Sequence, residues 1–546
     1  MQKSGKYIAV LMAMALAIPC FASTPTVRQH SMGPNGSTEN LGNGAVNSAE
    51  PYKMGLPYAT AAGNTLLVGI WGLPTGGTDV AMTVADSGGD SFSQLAALYD
   101  STNLAALYTY CASGIAAGST WIEAYPTSSS YTLQFPQISV TEIQNASCTT
   151  RSTPTTTAAG SGSAMAPGSF SANAGDFIYE ICGNGKAMKF SSITWGSGFH
   201  GLSADLYNGE ESGLADQYEV ASSTGSINPS MSEGSSDGAW EAIGLALDSS
   251  ASGTGPAAFG VLSLFHANYY NATAITSWTY QFPVHGNLIV IQLDNNVAVT
   301  GITDNNSLSF QQIGATCPKS SGTDFGQAWY ATVSSPPLEN EAITVSIGSG
   351  TGTYIVAFTY DIQGANTSSP YDTTIGTSGL ACASGDQTVY VSTLAYFTIT
   401  PTNSNEIMLF HSNQDYNDAI GLTSPGAALF TSAIIANGGN FNYTLDESSG
   451  NGICVACSGS LTWTVTYDNA YGGAEGYFEG FAAAFNPAST PPGNPYSLRG
   501  VPHFAGSNSS LGNTPLVRLL KFFRLGRPRA RSSQELDSRF RGNDDE

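Results

Sequence analysis

Gly63-Asn64-Thr65-Leu66-Leu67-Val68 returns later in the chain as Gly286-Asn287-Leu288-Ile289-Val290. Each copy is a polar Gly-Asn turn followed by an unbroken apolar run, the pattern of a strand leaving a turn. Working outward, Asp86 with Phe92 and Leu95 returns as Asp304 with Phe310 and Ile313, and Glu142-Ile143-Gln144 as Asp361-Ile362-Gln363. Asp176-Phe177-Ile178 matches Glu406-Ile407-Met408, and Trp240-Glu241-Ala242 matches Phe478-Glu479-Gly480. The order is kept and the offsets stay between 218 and 238. Independent coincidences would not preserve both, so the chain contains an internal duplication. The repeat predicts two domains, 23–250 and 258–487, joined by a Ser/Gly-rich linker at 251–257.

Both copies read as strands. The segments 66–70, 131–143, 177–181 and 240–247, and in the second copy 288–293, 354–362, 407–410 and 477–485, are short apolar or alternating runs between Gly, Ser, Asn and Thr clusters. Helical periodicity with capping residues is hard to find between 23 and 488. Many strands without crossover helices predict an all-β fold of two tandem antiparallel β-sandwiches. A unit of about 230 residues suits a large jelly roll better than an immunoglobulin-size sandwich of ~100.

Charge narrows the partners. Charged residues are 10% of the 546, and the whole chain carries a formal charge of −23. Between 23 and 488 there are six Lys and Arg against 35 Asp and Glu, a formal −29. Such a body repels phosphate backbones, which excludes nucleic acid as partner. Residues 1–22 have the form of a secretory signal: Lys3 and Lys6, an apolar stretch at 7–18, then Cys20-Phe21-Ala22 before Ser23. Beyond it no apolar run reaches the ~18 residues of a membrane helix. The expected location is therefore secreted or cell-surface. Seven cysteines remain after the leader, so in an oxidising compartment pairing leaves one free. Cys454 and Cys457 have zinc-ribbon spacing without a second pair, which favours a disulfide over a metal. After Pro487 the composition turns basic, and 488–546 reads as a linker and a low-order tail, with Leu536-Asp537-Ser538-Arg539-Phe540-Arg541-Gly542-Asn543-Asp544 having the form of a translated inverted-repeat element.

Candidate chemistry is sparse. Asp86 and Asp90 in Asp-Ser-Gly-Gly-Asp, and Asp304 in Asp-Asn-Asn-Ser, place hard oxygens on turns that could hold Ca²⁺. Asx-turns between strands account for the same residues without metal. The cluster at 413–418 is similar. Glu142 and Glu241 are the conceivable carboxylate pair for glycoside hydrolysis, but nothing in the sequence brings them together. The Gly-x-Ser-x-Gly pattern at 234–238 lacks the helix that a nucleophile elbow needs. None of the six histidines has a spaced His or Cys partner. Trp71, Trp121 and Trp195 stand beside Gly- or Ser-rich loops and are the rings expected to stack on sugars; Trp240, Trp329 and Trp463 read as core.

Ala62-Gly63-Asn64-Thr65-Leu66-Leu67-Val68, the turn Val84-Ala85-Asp86-Ser87-Gly88, Ala174-Gly175-Asp176-Phe177-Ile178, Ala215-Asp216-Gln217-Tyr218 and Ala239-Trp240-Glu241-Ala242 resemble a broad class of exported bacterial repeat domains. The resemblance covers most of 27–250 and, more weakly, 258–487, where the Asp-Gln-Tyr segment is missing. It implies jelly rolls of the lectin/glucanase type, mostly without an assigned activity. The expectation is a surface or extracellular binding and adhesion module for glycans, with Ca²⁺ as its conceivable cofactor and no catalysis. The alternatives are a polysaccharide-degrading glycosidase or lyase, and a passive envelope or fibre component.

Overall fold

The computed structural model describes residues 23–33, 52–148 and 155–488, apart from the internal stretches 185–189, 191, 206–212, 235–238, 272–275, 296, 319–324, 349–352, 388–392, 404, 416–418, 424–429, 436–446, 458 and 468–475. The leader, the basic tail, most of the 234–238 motif and the side chains of the 413–418 cluster lie outside the described residues.

Eight strands come first: β1 (Thr26–Gly33), β2 (Tyr52–Gly55), β3 (Thr65–Pro74), β4 (Met82–Asp86), β5 (Ser93–Asp100), β6 (Ala105–Ser113), β7 (Trp121–Pro126) and β8 (Leu133–Gln144). They form one sheet in the order β1-β8-β3-β6-β5 and another in the order β2-β7-β4. First pairs with eighth, second with seventh and third with sixth, so the chain is a long hairpin wound on itself. A two-residue strand, β9 (Ala146–Ser147), leads to the next octet. This holds ten strands, because its second and seventh are each divided in two: β10 (Thr155–Ser161), β11 (Ala164–Met165) with β12 (Phe170–Ala172), β13 (Phe177–Asn184), β14 (Ile193–Thr194), β15 (His200–Ala204), β16 (Leu214–Val220), β17 (Gly225–Ile227) with β18 (Met231–Glu233), and β19 (Ala239–Ser249). Its large sheet runs β10-β19-β13-β16-β15, and its small one is split into β11-β18-β14 and β12-β17.

The second copy repeats the plan twice. Its first part is β20 (Gly260–Asn271), β21 (Ser277–Gln281), β22 (Leu288–Asn295), β23 (Val299–Asp304), β24 (Gln311–Pro318), β25 (Phe325–Thr332), β26 (Ala342–Ile347) and β27 (Thr353–Gln363). Its second is β28 (Ala381–Gln387), β29 (Thr393–Ile399), β30 (Glu406–Asp415), β31 (Ala419–Thr423), β32 (Phe430–Ile435), β33 (Glu447–Cys457), β34 (Leu461–Tyr467) and β35 (Gly476–Phe485). The orders are β20-β27-β22-β25-β24 with β21-β26-β23, and β28-β35-β30-β33-β32 with β29-β34-β31. Each copy of about 230 residues thus contains the same winding twice. The described residues hold no helix, and none is long and apolar enough to cross a membrane.

The all-β character expected from the sequence is present, but the sheets do not stop at the copy boundary. β1 pairs in parallel with its equivalent β20, fusing two five-stranded sheets into one of ten. Parallel pairing of equivalent strands puts the pseudo-twofold axis along the strands, which turns the sheet over from one half to the other. The side chains obey this. Leu67 and Trp71 of β3 face one interlayer together with Ile289 and Ile291 of β22. Leu66 and Val68 face the other with Leu288 and Val290. Taken from the repeat, Leu66 corresponds to Ile289, and the two point to opposite sides. The first interlayer is closed by the sheet β10-β19-β13-β16-β15-β21-β26-β23, which also crosses the copy boundary, at Ala204 opposite Gln281. The second is closed by β28-β35-β30-β33-β32 and β2-β7-β4, with β2 running beside β32.

Burial on both faces explains the composition of the middle layer. All ten residues of β3 and all eight of β22 are buried, and the runs 66–71 and 288–291 are apolar or glycine without polar alternation. The outer strands β7 and β26 alternate between half-buried and buried instead. Close packing fixes the small residues. The Trp71 ring fills the space where a Cβ on Gly183 would sit, 2.0 Å from its Cδ1. In each copy one disulfide ties the first octet to the beginning of the second: Cys111–Cys148 closes 37 residues and Cys317–Cys382 closes 65. Loops of that length stabilise by roughly 4 kcal/mol each in the chain-entropy picture. Cys454 is also disulfide-bonded, and Cys182 is the free, buried thiol among the described residues.

The segment read as a flexible linker is fastened. Asn64 grips Thr254 with both ends of its amide, accepting from the Thr254 N–H at 2.8 Å and donating to its carbonyl at 2.9 Å. Asn287, its equivalent, holds Ala365 in the same way at 3.0 and 2.8 Å. Arg28 donates to the Gly255 carbonyl, and Asn145 N–H to that of Ser252.

Candidate functional sites

The acidic turns close themselves. Asp86 accepts from the Asp90 backbone N–H at 2.8 Å and from the Ser119 hydroxyl. Asp90 accepts from the Ala116 N–H at 3.0 Å. Burial pushes the Asp90 carboxyl up, the Ala116 bond opposes, and the Asp86 charge adds to the rise. Asp304, in the equivalent turn of the second copy, accepts from Leu308 N–H at 2.7 Å and Asn306 N–H at 2.9 Å. These are Asx-type caps, in which the carboxylates neutralise backbone donors of the turn. Asp86 and Asp90 are brought near one another, and the turn geometry accounts for them and for Asp304 without a Ca²⁺ ion.

The carboxylates Glu142 and Glu241 are parted by the central sheet. Glu142 lies on the second-interlayer side of β8, in line with Ile138 and Val140. There it accepts from Asn64 at 2.6 Å, from Ala61 N–H at 2.9 Å and from Gln29, and it pairs with Arg28 at 3.2 Å. Asp361, its equivalent, turns to the first interlayer and accepts from the His285 and Gly286 N–H groups at 2.7 and 2.8 Å. Glu241 sits on the first-interlayer side of β19, where burial, with the Asp100 charge, pushes its carboxyl up to about 8. Two acids on opposite faces of a sheet cannot flank one sugar ring.

Of the three tryptophans expected at a binding surface, two are core. Trp71 is 0% exposed, sealed between β3 and β13. Trp195 is buried and donates its indole N–H to the Glu339 carbonyl at 2.6 Å. The glycines beside them in the sequence do not mark exposure, since the two rings pack into slots left by Gly183 and Gly201. Trp240 and Trp329 are buried, as read. Trp121 differs. On β7 the alternation turns Ile122 and Ala124 inward and leaves Trp121, Glu123 and Tyr125 half-buried on the outer side. β7 is the middle strand of the β2-β7-β4 sheet, so this row runs down the centre of an outer face.

At the boundary between copies lies a cluster that no sequence motif announces. His200 opens β15, His285 follows β21, and Glu339 precedes β26. His200 Nδ1 lies 2.7 Å from Glu339 Oε1, and His285 Nε2 lies 3.5 Å from Glu339 Oε2. Gly201 N–H donates to Oε2 at 3.0 Å. Burial alone would raise the Glu339 carboxyl, but hydrogen bonds and charges from His200 and His285 hold it well below the usual carboxylate range. Burial would lower His285; its contact with Glu339 and the charge of Asp361 outweigh that and raise it. Among the described residues these three are the group of His, Cys, Asp and Glu close enough to share a metal ion. They come from segments far apart in sequence, so no spacing could announce them.

Comparison with protein-family models, with characterised proteins and with solved structures returns no match.

Proposed function

We propose that this chain is an exported binding and adhesion module that takes a neutral glycan on the outer face of β7. The observation that carries the reading is the row Trp121, Glu123, Tyr125, two rings either side of a carboxylate on one strand. Rings at i and i+4 of a strand stand about 13 Å apart. That separation suits a short run of sugar units, with a ring under each end and the carboxylate accepting hydroxyls between them. The face rides on a stiff stack of sheets rather than a loop, which limits the ordering cost of binding. A body with 35 acids against six bases favours an uncharged partner over an anionic one.

The test is binding of the full chain to a panel of soluble neutral polysaccharides. Trp121→Ala and Tyr125→Ala should each weaken binding at least tenfold, about 1.4 kcal/mol. Binding unchanged in both variants, or none by the parent chain, would remove the proposal.

A further inference from the structure

We propose that His200, His285 and Glu339 form a zinc-class metal site that staples the first copy to the second. A tetrahedral ion at 2.0–2.1 Å from its N and O ligands spaces those atoms about 3.3 Å apart. The Glu339 carboxylate lies 2.7 Å from one imidazole through Oε1 and 3.5 Å from the other through Oε2, on either side of that value. All three ligand atoms lie within 4.8 Å of one another. Small side-chain rotations bring them to one ion.

The donor set chooses the metal. Two imidazoles and one carboxylate suit Zn²⁺ and its borderline neighbours. Ca²⁺ would want six to eight oxygens. The ligands are also held from behind, as metal sites require. The Glu339 carbonyl takes the Trp195 indole N–H at 2.6 Å, and its carboxylate takes the Gly201 N–H. The His285 backbone N–H is anchored on Asp361 at 2.7 Å. Val284 and Leu338, the neighbours of two ligands, exchange both backbone hydrogen bonds at 2.8 and 3.1 Å. His200 keeps 35% of its side chain exposed, which leaves an entry path and room for a water as fourth ligand.

Position gives the site its role. Among the described residues, the sheet that crosses between copies is joined there by one residue pair, Ala204 opposite Gln281. His200 belongs to β15 on one side of that seam, and His285 and Glu339 to turns on the other. An ion bound to all three would cross-link the seam.

The test uses full-length, tag-free protein stripped with chelator. Titration with Zn²⁺ should show a site of micromolar or tighter affinity. Co²⁺ should give the visible spectrum of a tetrahedral ion. His200→Ala and Glu339→Gln should each weaken Zn²⁺ at least tenfold. Saturating Zn²⁺ should raise Tm by at least about 2 °C in the parent and not in His200→Ala, the half-exposed position least apt to disturb folding. Equal affinity in parent and His200→Ala would place the metal elsewhere and overturn the proposal, as would no binding by the parent.

Discussion

The two interlayers handle a buried histidine in opposite ways. In the first, His30 of β1 meets Thr141 at 3.1 Å and Ser203 at 2.7 Å. Ser203 in turn donates to Asp216, which also accepts from Tyr179 at 3.0 Å and from Ser139. In the second, His266 of β20 and His411 of β30 stack on Phe358 and Phe481, each with ring centroids 4.6 Å apart. Neither ring nitrogen of either residue has a hydrogen-bond partner among the described residues. Burial lowers both to about 3, with His266 further lowered by the charge of His411. One core resembles a wired polar network and the other an aromatic stack that happens to contain imidazole. The twofold relation sets where a residue points; local neighbours decide what it can tolerate.

Acid should break the comparison most strongly. The unfolded histidines titrate near 6.5, whereas the folded ones titrate near 3, so the folded chain binds fewer protons between those values. Their contribution is fully present above pH 6.5 and is lost as pH falls toward 3. At pH 5 each costs about 2 kcal/mol, from 1.36 kcal/mol per unit of separation. Urea unfolding at pH 7.5 and pH 5 should show the parent losing about 4 kcal/mol more than the double variant His266→Phe/His411→Phe. Equal losses would mean that the second interlayer admits a partner for its imidazoles. Next in size, Asp216→Ala should cost about 3 kcal/mol at pH 7.5, because two hydroxyls and both Ser203 donors lose their shared acceptor. A cost under 1 kcal/mol would show that the first interlayer is not held by this network.

The outward rows of β7 and β26 sharpen the contrast at smaller cost. Where β7 carries Trp121, Glu123 and Tyr125, β26 carries Ala342, Thr344 and Ser346 at the matching outward positions. Thr279, Thr344 and Thr303 stand in register across β21, β26 and β23. Ala342→Trp with Ser346→Tyr should raise the glycan stoichiometry from one site to two, while changing stability by no more than about 0.5 kcal/mol. An unchanged stoichiometry would show that the rings alone do not make the β7 face.

Much of this fold is visible in the residues, and the reasons are local. The apolar run 65–74 and the alternation at 121–126 announce a strand covered on both faces and one covered on a single face. The repeat shows in turn residues such as Asn64 and Asn287, which perform the same two-handed grip. The parallel seam between β1 and β20 is not visible, because it is set by the pairing of residues more than 200 positions apart. For the same reason the shorter eight-strand period hides: β9 and the divided strands of the second octet interrupt it. Sites fare worse. Gly beside Trp71 and Trp195 in the sequence suggests exposure, whereas the rings are seated in slots left by Gly183 on β13 and Gly201 on β15. At Asp304 the residues allow both a metal loop and an Asx turn, and the carboxylate accepts from the Asn306 and Leu308 N–H groups of its own turn. His200, His285 and Glu339 meet because a sheet crosses between copies, which no single segment encodes.

The seam has one more consequence. A polypeptide ending near residue 250 would bare the edge of β1 at His30–Met32 that β20 now covers, an open row of amides and carbonyls. Since β20 is β1 repeated, the neighbour best shaped to fill that flank is another molecule of the same fragment. In assembly terms the two copies stand to one another as the subunits of a symmetric pair would, and the strap at 251–257 is the suture.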